Sequence, residues 1–279
     1  MKKRVLNDVR ARTWRSSSSR RALAQGTPKM SVTRDNESVL KLQMPKSQLL
    51  TSCIVFGITW SVALALWYFI DLDKAILFAL NNVNFSNSIV VFSKFISRYG
   101  MSLIAGVNLI LLLITFKDEE MKSLRPVFLL TIMSYAVAGI SGDLLKEVFN
   151  RPRPIVTYVG ELNFLTASNS PAFPSGHATK SVALAVPLIF NDVLNNRLIK
   201  ASKIFVMSIA FLVCLSRIVL GAHYLSDVLA GAGWSVIFLP ISIFLTNRIL
   251  SKMNPKRYEI ASKIWIIVYI ALIFFVATI

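Results

Sequence analysis

LLTSCIVFGITWSVALALWYFI, residues 49–70, runs for twenty-two positions without a charged side chain. A helix of about 20 predominantly apolar residues crosses the hydrocarbon core of a bilayer, so this stretch alone is long enough to span. Further apolar runs follow near 100–116, 126–146, 178–191, 204–221, 225–246 and 264–279, joined by short loops. Hydrophobic residues make up 54% of the 279 positions, above the range of ordinary globular chains. In lipid only helices and closed barrels satisfy their own backbone groups. The expected fold is therefore all-α, a polytopic membrane helical bundle in one domain. So many long apolar runs in one chain argue against a soluble protein with buried core helices.

Three details qualify that outline. The 178–191 and 264–279 runs are short for full spans. Pro187 and Pro240 lie inside apolar runs and are expected to kink them where neighbours re-satisfy the freed carbonyls. The stretch KAILFALNNVNFSNSIVVFSKFISR, residues 74–98, is apolar but broken by Asn and Ser, and reads as one or two helices lying in the interface rather than as a span.

The formal charge is +17, unevenly placed. Residues 1–46 are polar, rich in Lys, Arg and Ser and without apolar periodicity, and read as a basic disordered tail. Such a tail fixes topology and touches anionic headgroups; a nucleic-acid arm is the weaker reading, and no nucleic-acid partner is expected. No short apolar stretch with a small-residue cleavage site follows it, so no cleaved signal peptide is expected. Either Met1 or Met30 could be the start. With the N-terminus cytoplasmic, the inside loops include KDEEMKSLR (117–125), NNRLIKASK (195–203) and NRILSKMNPKR (247–257), all basic as the positive-inside rule requires. The loop 147–176 then faces the other side. Cys53 and Cys214 both fall in apolar runs and are expected to be buried thiols.

Polar residues gather in three places, each at the non-cytoplasmic end of an expected span, where ionisable groups are costly and mark function. In KEVFNRPRP (146–154) Lys146 suits a helix C-terminus, with Asp143 one turn earlier to hold it. Arg151 and Arg153 each precede a proline, which favours extended backbone and lets an arginine fold back over the helix end; headgroup binding by both is the plainer reading. In PAFPSGHATK (171–180) Ser175 reads as an N-cap, Gly176 allows close backbone approach, and the first-turn N–H groups form an anion site beside His177. In SRIVLGAHYLSD (216–227) His223 and Asp227 are four apart and would share a helix face, the carboxylate fixing the ring tautomer. Arg217 adds a cation at the same end. Each cluster alone has a structural explanation. Together they place both histidines of the chain, one carboxylate, Lys146, Arg153 and Arg217 at one membrane level, which suits a multiply charged anion, phosphate first. His177, His223 and Asp227 would make a two-histidine, one-carboxylate metal set, but the cations oppose a divalent ion, so no metal and no cofactor is expected.

The order K-x6-RP (Lys146 to Arg153-Pro154), PSGH (174–177) and SR-x5-H-x3-D (Ser216-Arg217 to His223 and Asp227) resembles the type 2 phosphatidic acid phosphatase superfamily, over about residues 50–246. The resemblance implies a six-helix phosphatase core, here with an extra C-terminal span. The chain then divides into the tail 1–46, a transmembrane lipid phosphatase domain 47–250, and a cytoplasmic loop with a C-terminal apolar segment 251–279. It also implies a metal-independent site on the non-cytoplasmic side. His223 would be the nucleophile that forms a phosphohistidine, oriented by Asp227. His177 would protonate the leaving oxygen, and Lys146, Arg153, Ser175, Gly176 and Arg217 would bind the phosphoryl oxygens. The expected partners are a membrane lipid phosphate and the bilayer, with no obligate protein partner, and the expected location is a bacterial inner membrane. Phosphatidic acid, phosphatidylglycerophosphate, a polyprenyl diphosphate and a lipid A phosphate all remain open as substrates. A phosphotransferase using the same histidine, and a non-catalytic anion-binding or transport protein, remain open as functions. Soluble haloperoxidases share the pattern, but the apolar spans oppose that role.

Overall fold

The computed structural model describes residues 31–34, 40–81, 87–163, 170–194 and 196–278. Among the described residues, strands β1 (Ser31–Arg34) and β2 (Leu40–Gln43) pair antiparallel and lead into ten α-helices. These are α1 (Lys46–Tyr68), α2 (Ile70–Asn81), α3 (Asn87–Ile114), α4 (Arg125–Phe149), α5 (Pro154–Thr157), α6 (Gly176–Phe190), α7 (Arg197–Val219), α8 (Leu225–Ile237), α9 (Leu239–Leu250) and α10 (Pro255–Thr278). Among the described residues, six helical stretches are long and apolar enough to cross a membrane, with α8 and α9 together forming one of them. The chain is an all-α integral membrane bundle.

Helix α6 is only 15 residues long, about 22 Å at the usual rise. It can be short because it sits among α4, α7 and α8 and its ends meet protein. Ala178, Ala183, Leu184 and Leu188 are fully buried, Gln48 donates to the Phe190 carbonyl at 3.0 Å, and Lys203 donates to the Asn191 carbonyl. Between spanning helices, close packing replaces the hydrophobic effect, which favours small residues at contacts. Gly231 on α8 shows this directly, since an added Cβ would lie 2.6 Å from the Ser175 carbonyl and 2.8 Å from Thr179 Oγ1. Pro187 stays inside α6 without ending it. At Pro240 the chain turns through Phe238 and restarts, dividing the span into α8 and α9.

Several expectations need correction. Residues 87–98 do not form a separate interfacial helix; they are the opening three turns of the 28-residue α3. The polar interruptions that suggested an interfacial segment point inward, with Ser93 and Ser97 buried. Only α2 stays separate, tied to the end of α7 through Asn81, which donates to the Val219 carbonyl at 3.0 Å. The C-terminal run begins at Pro255 rather than 264, and its 24 residues reach about 36 Å, enough to span. The polar turn at 256–263 had hidden its start. Residues 1–30 lie outside the described residues. The end of the expected disordered tail, however, is ordered: Leu42 is buried and its N–H and C=O both bond Asn247, at 2.9 and 2.8 Å. Four-residue strands carry too little alternation to be seen in sequence. Cys53 is exposed rather than buried and Cys214 is half-buried, because an apolar side chain on a spanning helix can face lipid.

The basic loops lie at the opposite end of the bundle from the exit of α4 and the start of α6, as the alternation of helix directions requires. One of their cations is structural. Arg125 is buried, pairs with Glu259 at 2.6 Å, and donates to the Thr115 hydroxyl and carbonyl at 3.0 and 2.9 Å.

Candidate active site

Three segments converge at that far end: the exit of α4, the start of α6, and the turn from α7 to α8. Helix α4 closes on Asn150 in the left-handed region, φ 41°, with its N–H on the Lys146 carbonyl at 2.8 Å. The chain then runs extended through Arg153, φ −76° and ψ 157°, as the following prolines favour. Phe173, just before the PSGH turn, is fully buried against Trp67, Phe149 and Trp60, with ring centroids at 4.8, 4.9 and 5.6 Å. This aromatic block fixes where α6 begins. Ser175 N–H donates to the Asp227 carbonyl at 2.9 Å, joining the start of α6 to the start of α8.

A cavity of about 430 Å³ opens there, lined in part by Lys146, Arg153, Gly176, His177 and Arg217. The polar clusters separated in sequence thus meet in one place. His223 is almost fully buried; its Nδ1 lies 3.4 Å from Asp227 Oδ2, and its Nε2 lies 3.1 Å from Arg153 Nη1. A guanidinium has donors only, so Nε2 must present its lone pair. The ring proton is then on Nδ1, facing the carboxylate. Burial, with Arg153, Arg217 and Lys146 around it, holds the His223 imidazole well below its ordinary pKa, and both effects favour the neutral ring.

The His–Asp spacing works differently from the shared helix face expected for it. His223 precedes α8, and Asp227 is the third residue of that helix. Asp227 Oδ2 caps the helix by accepting the Tyr224 N–H at 2.9 Å while facing His223. Gly221, with φ 66°, makes the turn that aims the histidine back, a conformation that favours glycine. Ser175 does hold the N-cap position, but its side chain makes no capping bond. Its hydroxyl is buried with no partner, and so is Arg217 Nε. Buried polar groups are ordinarily paired. Arg217 Nε belongs to a residue that lines the cavity, and Ser175 directly precedes its Gly176 wall, so both orphans are candidate partners for ligand oxygens. His177 lines the cavity from the first turn of α6. Asp143 bridges Lys146 and Lys180, at 3.8 and 3.0 Å. Among the described residues no three His, Cys, Asp or Glu side chains form a metal-ligating group, so His177, His223 and Asp227 do not assemble as one.

Several supporting residues were not singled out in the sequence. Arg153 is clamped by Ser170, its Nε on the carbonyl at 2.6 Å and its Nη2 on the hydroxyl at 2.9 Å. Ser97 of α3 accepts a hydrogen bond from Arg217. Behind Asp227, Arg151 Nη1 donates to Asp227 Oδ1 at 2.6 Å and Nη2 to Asp73 Oδ2 at 3.1 Å. Ser226 joins both sides, accepting from Arg151 at 2.5 Å and donating its N–H to Asp73 Oδ1 at 3.2 Å. The guanidinium packs between the rings of Tyr224 and Trp67, at 4.1 and 4.9 Å. Arg151 is therefore a buried structural cation, not a headgroup binder. The signal that could have found this group is Asp73 itself, an acid in an apolar stretch.

Residues 127–250, which carry the three motifs, match the family model of the PAP2 superfamily. That segment is similar to the PAP2 superfamily. Over 141 residues it is 29% identical to the lipid A 1-phosphatase of Rhizobium johnstonii, covering 46% of this chain and 52% of that one. It is 29% identical over 142 residues to the lipid A 1-phosphatase of Rhizobium etli, covering 46% and 55%. The chain thus spans about half the length of the curated relatives it matches. The crystal structure of a transmembrane PAP2-type phosphatidylglycerolphosphate phosphatase from Bacillus subtilis has the same fold, with a TM-score of 0.51 at 22% identity over 75% of this chain and 98% of that one. The matched segment supplies all three site clusters, while α1, α2, α3 and α10 lie outside it.

Proposed function

We propose that the chain is a lipid phosphate phosphatase that works without a metal, through a phosphohistidine on His223. The observation that carries this reading is the orientation of the ring, Nδ1 toward Asp227 and Nε2 toward Arg153. An anion carrier has no need of an oriented imidazole. In the first step the Nε2 lone pair attacks phosphorus, the bond from phosphorus to the lipid oxygen breaks, and His177 gives that oxygen a proton. The ring gains positive charge, which Asp227 offsets. In the second step His177 takes a proton from water, the water oxygen attacks phosphorus, and the P–N bond breaks to return neutral His223 and inorganic phosphate. Lys146, Arg153 and Arg217, with Ser175 and the Gly176 backbone, hold the phosphoryl oxygens through both steps. Phosphate monoester hydrolysis is among the slowest uncatalysed reactions, and oriented charge in a dry site is the largest contribution such a site can make.

The basic loops at the end opposite the site support a cytoplasmic N-terminus and a site on the outer face of a bacterial inner membrane. The test is phosphate release by the purified chain from a panel of lipid phosphates, with chelator and without any acceptor lipid. Release unaffected by chelator is expected, along with an acid-labile phosphoenzyme that is absent in His223→Ala. Wild-type release by His223→Ala would overturn the mechanism, and a requirement for an acceptor lipid would make the chain a phosphotransferase.

A further inference from the structure

The four helices around the cavity form an incomplete ring. Helix α3 packs along α7, α7 along α6, and α6 along α4, whereas α4 and α3 meet at few points. The ring is open between α3 and α4. On the outer half of α4, Ile140, Leu144 and Val148 stand one turn apart on one stripe and all are exposed, so that stripe is left to lipid. Withdrawing methylenes from lipid into water is unfavourable. A phosphoryl group on a lipid therefore has to enter through a side of the bundle, its chain staying in the bilayer.

Helix α10 stands at this opening. Among the described residues its hydrogen bonds to α4 go to the first turn of that helix. Glu259 pairs there with Arg125 at 2.6 Å, and the buried Tyr269 hydroxyl donates to the Phe128 carbonyl at 3.0 Å. Farther out α10 follows α3, with Ser102 donating to the Ile273 carbonyl at 2.9 Å. The gap is thus bridged at its inner end and left free at the depth of the site. Support of the bundle is the plainer role for such a helix, and Leu272 and Val276, both buried, form its packing face. The next two residues are placed differently. Ala277 is half-buried and Thr278 exposed, and both line the cavity together with Lys146 and His177. Helix α10 lies outside the family-matched residues 127–250, so this wall is no part of the segment that carries the motifs.

We propose that the outer turn of α10 is a specificity-determining wall: the lipid that carries the phosphoryl group passes between this turn and the outer half of α4, where the small side chain of Ala277 leaves it room. The inference rests on the phosphatase reading above and adds the element that admits a membrane-borne substrate. Ala277 and Thr278 touch the lipid part of the substrate and not its phosphoryl group. A soluble phosphate ester enters from the aqueous side and does not meet them. The wall therefore acts on KM for lipids and leaves the chemistry at His223 alone.

The experiment has a turnover arm and a binding arm, both on the purified full chain in lipid nanodiscs. In Ala277→Trp, kcat/KM for the lipid phosphate of the panel above that turns over fastest is expected to fall about tenfold, the scale of one overpacked contact, through KM. Turnover of p-nitrophenyl phosphate stays unchanged. Phe275→Trp, on the exposed face of the same turn, changes neither. Thr278→Trp, at an exposed position, repeats the test if Ala277→Trp melts lower than the wild type. Equal losses for the two substrates, or full lipid turnover in both Trp variants, overturn the proposal. In the binding arm a benzophenone is attached to Ala277→Cys in a Cys53→Ser/Cys214→Ser background. It is expected to capture labelled dioleoyl phosphatidic acid, and excess inorganic phosphate suppresses that capture. The same probe on Phe275→Cys captures bulk lipid that phosphate does not displace. Capture at position 277 that phosphate leaves unchanged overturns the proposal. If capture is suppressed as stated but no lipid phosphate is hydrolysed, the phosphatase reading fails and the route past α10 stands.

Discussion

Arg151 should matter more to this protein than Asp73, although the two touch the same network. Replacing Arg151 with Met leaves Asp73 and Asp227, both fully buried, with no cation bonded to either. It removes contacts of 2.6 Å and 3.1 Å to the carboxylates and of 2.5 Å to Ser226. Breaking a buried ion pair from one side costs about 3–5 kcal/mol, because a buried charge is left unanswered. Asp73→Asn is gentler. The amide oxygen still accepts the Ser226 N–H, and Arg151 keeps Asp227. The Ser226 hydroxyl, which donates to Oδ2 in the wild type, can turn to accept from the new amide N–H. The net loss is the charge-assisted bond from Arg151, about 1.5–3 kcal/mol. In Asp73→Asn/Arg151→Met the like charge behind Asp227 is gone, so the double variant should be more stable than Arg151→Met alone. A structural network would show this order too, so kcat is the second readout. Without Arg151 the Oδ1 side of Asp227 is unheld and the carboxylate no longer fixes His223, for a loss of about 10- to 100-fold, the scale seen when outer partners of oriented histidines are removed. The assays are the apparent melting temperature in detergent and phosphate release at saturating lipid. The reasoning is refuted if Arg151→Met melts with Asp73→Asn, or if the double variant is no better than Arg151→Met.

Three further outcomes follow from the site. Ser175→Ala removes a buried hydroxyl that bonds nothing among the described residues, so its melting temperature should hold while kcat/KM falls about tenfold; lost stability with full activity would contradict the assignment. Because its pKa is lowered, the neutral form of His223 persists to lower pH, and nitrogen-15 NMR of the free protein should find it neutral with Nδ1–H at pH values below the ordinary imidazole value of about 6.5. With only two histidines in the chain, His177→Ala assigns the signals, and a ring that gains its proton at or above that value would sink the argument. Gly231→Ala places a Cβ against the Ser175 carbonyl at 2.6 Å, and overpacking of this kind costs about 1–3 kcal/mol; wild-type melting and turnover would show that α6 can shift freely.

The fold was legible wherever apolar length alone decides, and illegible where polar residues face inward. Residues 49–70, 126–146 and 204–221 are uninterrupted enough that helices form there. By contrast Ser93, Lys94, Ser97 and Arg98 broke the pattern of α3 and made its outer turns look interfacial. In a bundle with a polar site at one end, the helix that lines the site must carry polar residues at that depth. A hydropathy reading cannot separate that helix from one lying on the membrane surface. The same confusion hid the first two turns of α10 behind KRYEIASK.

The candidate site was legible as three motifs and one common depth, because each motif is local: a helix exit, a helix start and a tight turn. What surrounds them is not local. Asp73 lies 78 residues from Arg151 and 153 from Ser226, and Ser97 lies 120 from Arg217. No spacing rule reaches that far. These distant partners come from α2 and α3, outside the family-matched segment, and they bond Arg151 and Arg217, which lie within it. The division has a physical consequence. The matched segment carries the groups that would touch phosphorus and its oxygens, so its chemistry is fixed by short-range geometry. The helices packed around it set how firmly those groups are held and what else shares the cavity. Substrate choice in this chain is therefore to be sought on α3 and α10, among residues that the motifs do not include.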